Sequence, residues 1–295
     1  MIQANMELAK VRDFSAIIND SFLFLRQNFK PLLKAFFTFC GFFIVAAIVT
    51  GIIQQFKIRE FVDGNGMENM STSNIYNYYR TWGLEAALAI IFMILSYTAI
   101  PVTVLCYIAI YKEKGNVAPT NEEMWGYIKY YYLKILGCAV LNAIIVFAGA
   151  VFCLIPGIWL YPIMALTLPI IVMENVTYGY AFNQGFRLIK DNWWTTFGAI
   201  FIMGIIVGIS AAIVTVPAAI WSQFSLLLHW PGGDLATILT VILSHLALVL
   251  YILPVITIAL CYFSLNEQKE GTGLMARINQ IGENKNDSNL PAEEY

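Results

Sequence analysis

The sequence predicts an all-α protein that crosses a membrane several times, and three observations carry that expectation. Hydrophobic residues fill 59% of the 295 positions, charged residues only 12%, and the mean hydropathy is +0.68. That balance lies outside the range of soluble globular domains. Stretches without Asp, Glu, Lys or Arg run over 35 to 56, 86 to 111, 135 to 173, 192 to 233 and 235 to 266. Each reaches the ~20 residues that a helix needs to cross a bilayer. Finally, the Lys and Arg residues between those stretches are unequally divided.

The stretch 135 to 173 is 39 residues long and is interrupted by "CLIPGIW", where Pro156 and Gly157 form a turn signal. Read as a hairpin of two spans, it gives six spans in all. Of the 17 basic residues, 14 then fall on one side, leaving Lys57, Arg59 and Arg80 on the other. Read as one span, it gives nine against eight. Lys and Arg concentrate in cytoplasmic loops, so the sequence predicts six spans with both termini in the cytoplasm. The first apolar run begins near Ala35, behind a polar lead, and no cleaved signal peptide is predicted.

Along the chain, residues 11 to 31 carry a helical stripe, Phe14, Ile18, Leu25 and Phe29, with Arg12, Asn19, Arg26 and Lys30 off it. Residues 181 to 202, "AFNQGFRLIKDNWWTTFGAIFI", repeat that design, with Phe182, Phe186, Ile189 and Trp193 as the stripe. A constant offset of 164 superposes them: Phe22 meets Phe186, Arg26 meets Lys190, Asn28 meets Asn192 and Phe29 meets Trp193. A third copy, "NEEMWGYIKYYYLKILG", brings Trp125, Ile128, Lys129, Tyr132 and Lys134 to the start of the third span. The expectation is one membrane domain, 1 to 264, made of three parallel units, 11 to 111, 120 to 173 and 176 to 264. Each unit is a cytoplasmic amphipathic interfacial helix followed by a two-span hairpin. The polar tail 265 to 295 is expected to be disordered. The 57 to 83 loop is polar and holds the sequon Asn69-Met70-Ser71, whereas "WSQFSLLLHWPGGD" is aromatic and suits an interface.

Chemistry-bearing residues are few. Cys40, Cys106, Cys138, Cys153 and Cys261 sit inside apolar runs with no paired spacing and read as packing residues. The two histidines are His229, in the aromatic loop, and His245, beside Ser244 in the sixth span. No metal, nucleophile or phosphate-loop motif occurs, so neither an enzyme nor a cofactor is expected. A net charge of −2 gives no reason to expect nucleic acid. Glu174 closes the fourth span and is expected to pair with Arg187 or Lys190 across "NVTYGYAF".

What remains is the cytoplasmic face. Arg26, Lys30, Lys34, Lys129, Lys134, Arg187 and Lys190 precede spans, interleaved with Trp125, Tyr130, Trp193 and Trp194. Basic groups at that depth meet lipid phosphates, each contributing ~1 kcal/mol near an anionic surface. The expected lipid- or partner-binding set is Arg26, Asn28, Lys30, Glu174, Arg187, Lys190, Asn192, Trp193 and Trp194. The contrasting expectation is a permease for a lipid-derived or other small solute, its cavity lined by Asn142, Ser244 and His245.

The run 154 to 198 carries a further pattern: Ile155-Pro156-Gly157, Pro169 with Glu174, Ala181 with Leu188, then Lys190, Asn192 and Trp193. It resembles the bacterial membrane family that occurs as the membrane domain of some glycerophosphodiester phosphodiesterases and also as free-standing chains. The resemblance implies a polytopic inner-membrane protein associated with glycerophospholipid. It does not imply hydrolysis, because in that family the activity belongs to a separate soluble domain with a histidine and carboxylate metal site. Together these readings predict a non-catalytic membrane scaffold or accessory subunit whose partners are membrane phospholipids and other membrane proteins of a complex.

Overall fold

Two of the three leads that the sequence sets before spans are continuous with those spans. The computed structural model describes residues 6–62, 72–152, 154–228 and 233–271. Helix α1, Phe14–Val62, runs unbroken through Pro31 for 49 residues, roughly 73 Å at 1.5 Å per residue. That is more than twice the ~30 Å of hydrocarbon. Asp13 starts it by accepting the Ala16 N–H at 2.7 Å, an N-cap bond. Helix α2, Thr72–Glu113, returns alongside it. Helix α3, Asn121–Phe152, also joins lead and span, and Thr120 with Glu123 forms its capping box.

Helix α4 spans Leu154–Glu174. The turn that the sequence places at Pro156 and Gly157 therefore comes earlier, and both lie in the first turn of α4. Proline is tolerated there because its missing N–H has no intrahelical partner to serve. Gly157 allows close approach, since a Cβ on it would lie 2.9 Å from both the Cβ and the N of Ala150 on α3. The hairpin closes through small residues in contact.

Only the third unit has a separate leading helix, α5, Tyr178–Ile189, followed by α6, Trp193–Leu228. The break is Lys190, with ψ 134°, and Asp191, with φ 74°. Aspartate enters the left-handed region more readily than most residues. At the equivalent place in α1, the helix former Gln27 keeps the helix going. The last apolar segment comprises α7, Gly233–Leu246, a 3-10 turn over Ala247–Tyr251 and α8, Ile252–Glu270. Pro254, which cannot donate to the carbonyl four residues back, accounts for the tighter turn. Gly271, at φ 60°, ends α8 with a 2.9 Å bond to the Glu267 carbonyl.

Six segments are long and apolar enough to cross a membrane: Phe14–Lys57, Gly83–Glu113, Asn121–Val151, Ile155–Glu174, Trp193–Ser225 and Gly233–Glu270. Among the described residues there is no strand. The chain is an all-α, multi-pass membrane protein. Its closest helix pairs are α1 with α2, α3 with α4 and α6 with α7, and α8 touches α1, α2, α4, α5 and α6. Every residue from Ala259 to Leu265 is buried.

The ends of α2, α4 and α8 meet the starts of α1, α3 and α6 at one end of the bundle, here termed the basic end. There Lys112 sits over the Phe263 ring at 4.9 Å, Lys114 pairs with Glu123 and Asn192 bonds Gln268. At the far end, Lys57 pairs with Glu85. Between the two, α2 exposes Leu88, Ile90, Ile91 and Ile94, as suits helices whose solvent is hydrocarbon.

The buried face of α1 is Ile17, Ser21, Phe24, Asn28, Leu32 and Ala35, rotated from the stripe read in the sequence. Phe14 and Phe29 of that stripe point outward. Lipid tails are as apolar as a core, so the large aromatics face out while Ser21 and Asn28 are enclosed with partners.

Candidate functional site

At the basic end the turn between α5 and α6 holds the last turn of α8. Arg187 pairs with Glu270 at 2.7 Å, Lys269 with Asp191 at 3.0 Å, and the Asn192 amide donates to Gln268 Oε1 at 2.9 Å. Three successive residues of α8 thus bind Arg187 in the last turn of α5 and Asp191 and Asn192 in the turn that follows. Helix α5 buries Ala181, Gln184, Gly185, Leu188 and Ile189 and exposes Tyr180, Asn183 and Arg187. The polar stretch that the sequence assigns to the start of the tail is therefore helical and paired as far as Glu270.

The N-terminal segment is fixed to the same helix. Ser264 Oγ accepts the Arg12 N–H at 2.8 Å and donates to the Arg12 carbonyl at 3.2 Å. The enclosed Arg12 guanidinium donates to Asp20 at 2.7 Å and to the carbonyls of Leu8, Lys10 and Glu7. A buried guanidinium needs that full set of acceptors.

Glu174 does not form the expected salt bridge. Its Oε1 accepts the Tyr262 hydroxyl at 2.9 Å, while Arg187 is committed to Glu270. Arg187 stays close enough to act on the Glu174 carboxylate through space, but its guanidinium bonds Glu270 and not Glu174. Asn28 is buried, donating to the Phe24 carbonyl at 3.2 Å and accepting from Tyr107 at 3.0 Å. Of the expected binding set, then, Asn28 and Glu174 bond to other helices, as do Arg187 and Asn192. Arg26, Lys30 and Trp194 are exposed, and Trp193 is half-buried and donates its indole N–H to the Trp159 carbonyl at 3.0 Å.

All seven basic side chains singled out in the sequence are exposed. On α1, Arg26 and Lys30 alternate with exposed Phe22 and Phe29. Lys134 lies over the Tyr130 ring at 4.0 Å.

The residues expected to line one cavity are in two places. Asn142 donates to the Met164 carbonyl at 3.0 Å and to Thr167 at 2.8 Å, and accepts from Tyr178 at 2.9 Å. Burial raises the Tyr178 phenol above its ordinary range, so it remains a donor. This network locks α3, α4 and α5 together beside a pocket between α3 and α4. Ser244 and His245 instead line a separate cavity of about 260 Å3 with Gln54, Gln55, Gly51 and Thr240, between α1, α2 and α7. His245 Nδ1 lies 2.8 Å from the Val241 carbonyl, which leaves Nε2 for other partners.

Among the described residues no group of three His, Cys, Asp or Glu side chains is placed to hold a metal ion. Cys40, Cys106, Cys138 and Cys261 are buried free thiols. Cys153, His229, the sequon at 69 to 71 and the tail from 272 lie outside the described residues. Sequence reasoning missed Arg12, Tyr107, Tyr262 and the 268 to 270 turn as partners, since each acts across more than 75 residues or, for Arg12, through backbone carbonyls. Comparisons with protein-family models, characterised proteins and solved structures return no match for this chain.

Proposed function

We propose that the chain is a non-catalytic scaffold or accessory subunit of a bacterial inner membrane, associated with phospholipid. Both termini lie in the cytoplasm, and the basic end meets lipid headgroups or a partner complex. The observation that carries this reading is the set of seven exposed basic side chains, above all Arg26 and Lys30 set between exposed Phe22 and Phe29. Aromatic rings settle at headgroup depth while basic groups take phosphate. The excess of Lys and Arg at the same end supports a cytoplasmic orientation. The interior polar groups support a structural role, since Arg12, Asn28, Asn142 and Glu174 are engaged in holding helices together. The resemblance of residues 154 to 198 to membrane domains of glycerophosphodiester phosphodiesterases agrees with a glycerophospholipid setting.

The test is purification in mild detergent followed by native mass spectrometry. The expected result is retained anionic phospholipid, reduced when Arg26 and Lys30 are both changed to Gln while the melting temperature is kept. Unchanged lipid retention in that variant would sink the reading.

The permease reading rests on the cavity with Ser244, His245, Gln54 and Gln55. It is favoured if proteoliposomes carrying the chain pass a small solute and His245→Ala abolishes the flux.

A further inference from the structure

Helix α4 is held to the basic end at both of its ends. Glu174 accepts from Tyr262 of α8 at 2.9 Å. Fifteen residues earlier, a distance of about 22 Å along a helix, the Trp159 carbonyl accepts the Trp193 indole N–H at 3.0 Å. Trp193 is the first residue of α6 and follows Asp191 and Asn192, which bind Lys269 and Gln268. If α4 ran along the membrane normal, Trp159 would lie some 22 Å deeper than Glu174. Its bond to Trp193 returns it to the level at which α6 begins.

Helix α5 reports the same inclination independently. It packs antiparallel along α4: Tyr178 bonds Asn142, whose amide binds Thr167, a Cβ on Gly185 would lie 3.2 Å from the Ile163 carbonyl, and the Phe186 and Trp159 ring centroids are 5.7 Å apart. With Arg187, Asn183 and Tyr180 exposed along its other face, α5 suits a position flat on the membrane surface. The helix beneath it then runs nearly in the plane as well. The tip of the α3–α4 hairpin is apolar throughout, with Phe147, Val151 and Ile155 each at least two-thirds exposed, which suits hydrocarbon and not water.

We propose that α3 and α4 form a re-entrant hairpin that leaves the membrane on the side it came from, and that its tip forms with Trp193 and Trp194 a groove for an acyl chain of a phospholipid in the leaflet next to the basic end. The groove encloses about 420 Å3 and is lined by Ile155, Ile158, Trp159, Trp193 and Trp194. Lys190, exposed three residues before Trp193, takes the phosphate. The charge division between the two sides is the same for a re-entrant hairpin as for two crossings, so basic-residue counting is blind to the difference. Four crossings and one hairpin result.

The test uses the full chain in membrane vesicles, with the native cysteines replaced by serine and single cysteines introduced as Ile155→Cys, Asn183→Cys or Gly83→Cys, the last exposed near the Lys57–Glu85 pair of the far end. A membrane-impermeant maleimide is applied from either face. The expected result is labelling of Asn183→Cys and Gly83→Cys from opposite faces, with Ile155→Cys protected from the Gly83 face because its thiol lies in the hydrocarbon of the leaflet next to the basic end. Labelling of Ile155→Cys from the Gly83 face overturns the hairpin. Which absolute face Asn183→Cys reports decides only the cytoplasmic orientation proposed above, so the two fail separately. For the groove, native mass spectrometry should find one phospholipid fewer on Ile158→Trp than on Ile209→Trp, which places the same ring on the exposed flank of α6; equal numbers overturn the acyl-chain site.

Discussion

Tyr107 donates its hydroxyl to Asn28 Oδ1 across 3.0 Å, tying the first third of α1 to α2. Both residues are buried, and Phe24 and Tyr111 pack around them. Asn28 thereby acts as an interhelical link. Tyr107→Phe should cost about 0.5 to 1.5 kcal/mol, the net worth of one hydrogen bond, whereas Asn28→Leu should cost about 1 to 3 kcal/mol because it strands the tyrosine hydroxyl in the core. Thermal unfolding in detergent measures both, and neither variant should change the number of retained lipids.

The Glu174–Tyr262 bond joins the end of α4 to the middle of α8, with Glu270, Arg187 and Lys112 close enough to act on the carboxylate. Tyr262→Phe takes a donor from a half-buried carboxyl group and should lower stability by about 1 to 3 kcal/mol. Glu174→Gln keeps the acceptor and should cost less. A double-mutant cycle of Tyr262→Phe with Glu174→Ala, which removes the acceptor, is expected to show coupling; strict additivity would mean that the bond contributes nothing.

How much of this was legible in the sequence depended on whether the determinant was local. The uncharged runs placed all six long apolar segments. The expected leading helix is separate before the third hairpin alone, where Asp191 takes the left-handed turn; before the first two, lead and span form one helix. The inward face of α1 was not legible, since Phe14 and Phe29 gain as much from lipid as from a core. Small and polar residues, Ser21 and Asn28, mark the interior instead. The partners of Arg187 and Asn192 were hidden for another reason: they lie 83 and 76 residues away, and no local periodicity encodes such a pairing.

The clasp on α8 is made of exposed pairs, each contributing about 0.2 to 1 kcal/mol at most, so its effect should be local order and not global stability. Lys269→Glu sets two negative charges together at Asp191. It should speed amide hydrogen exchange over residues 188 to 196 with little change in melting temperature. Adding Asp191→Asn removes the repulsion while keeping a residue that tolerates the left-handed turn, and should restore slow exchange. High salt should weaken the unmodified pair in the same direction, because exposed charges are screened.

Gly157 and Gly137 offer a matched comparison within one hairpin. A Cβ at position 157 meets the Ala150 Cβ and N at 2.9 Å, and the backbone atom cannot swing aside. Gly157→Ala should therefore push α3 from α4, at a cost of about 1 to 3 kcal/mol. Gly137 lies on the exposed side of α3, and a Cβ added there would have nothing within 4 Å. At that position alanine should be neutral or stabilising by about 0.5 to 1 kcal/mol, because glycine is the poorer helix former. Melting temperatures of the two variants should move in opposite directions. A neutral Gly157→Ala would show that the α3–α4 tip is looser than the Ala150 contact indicates.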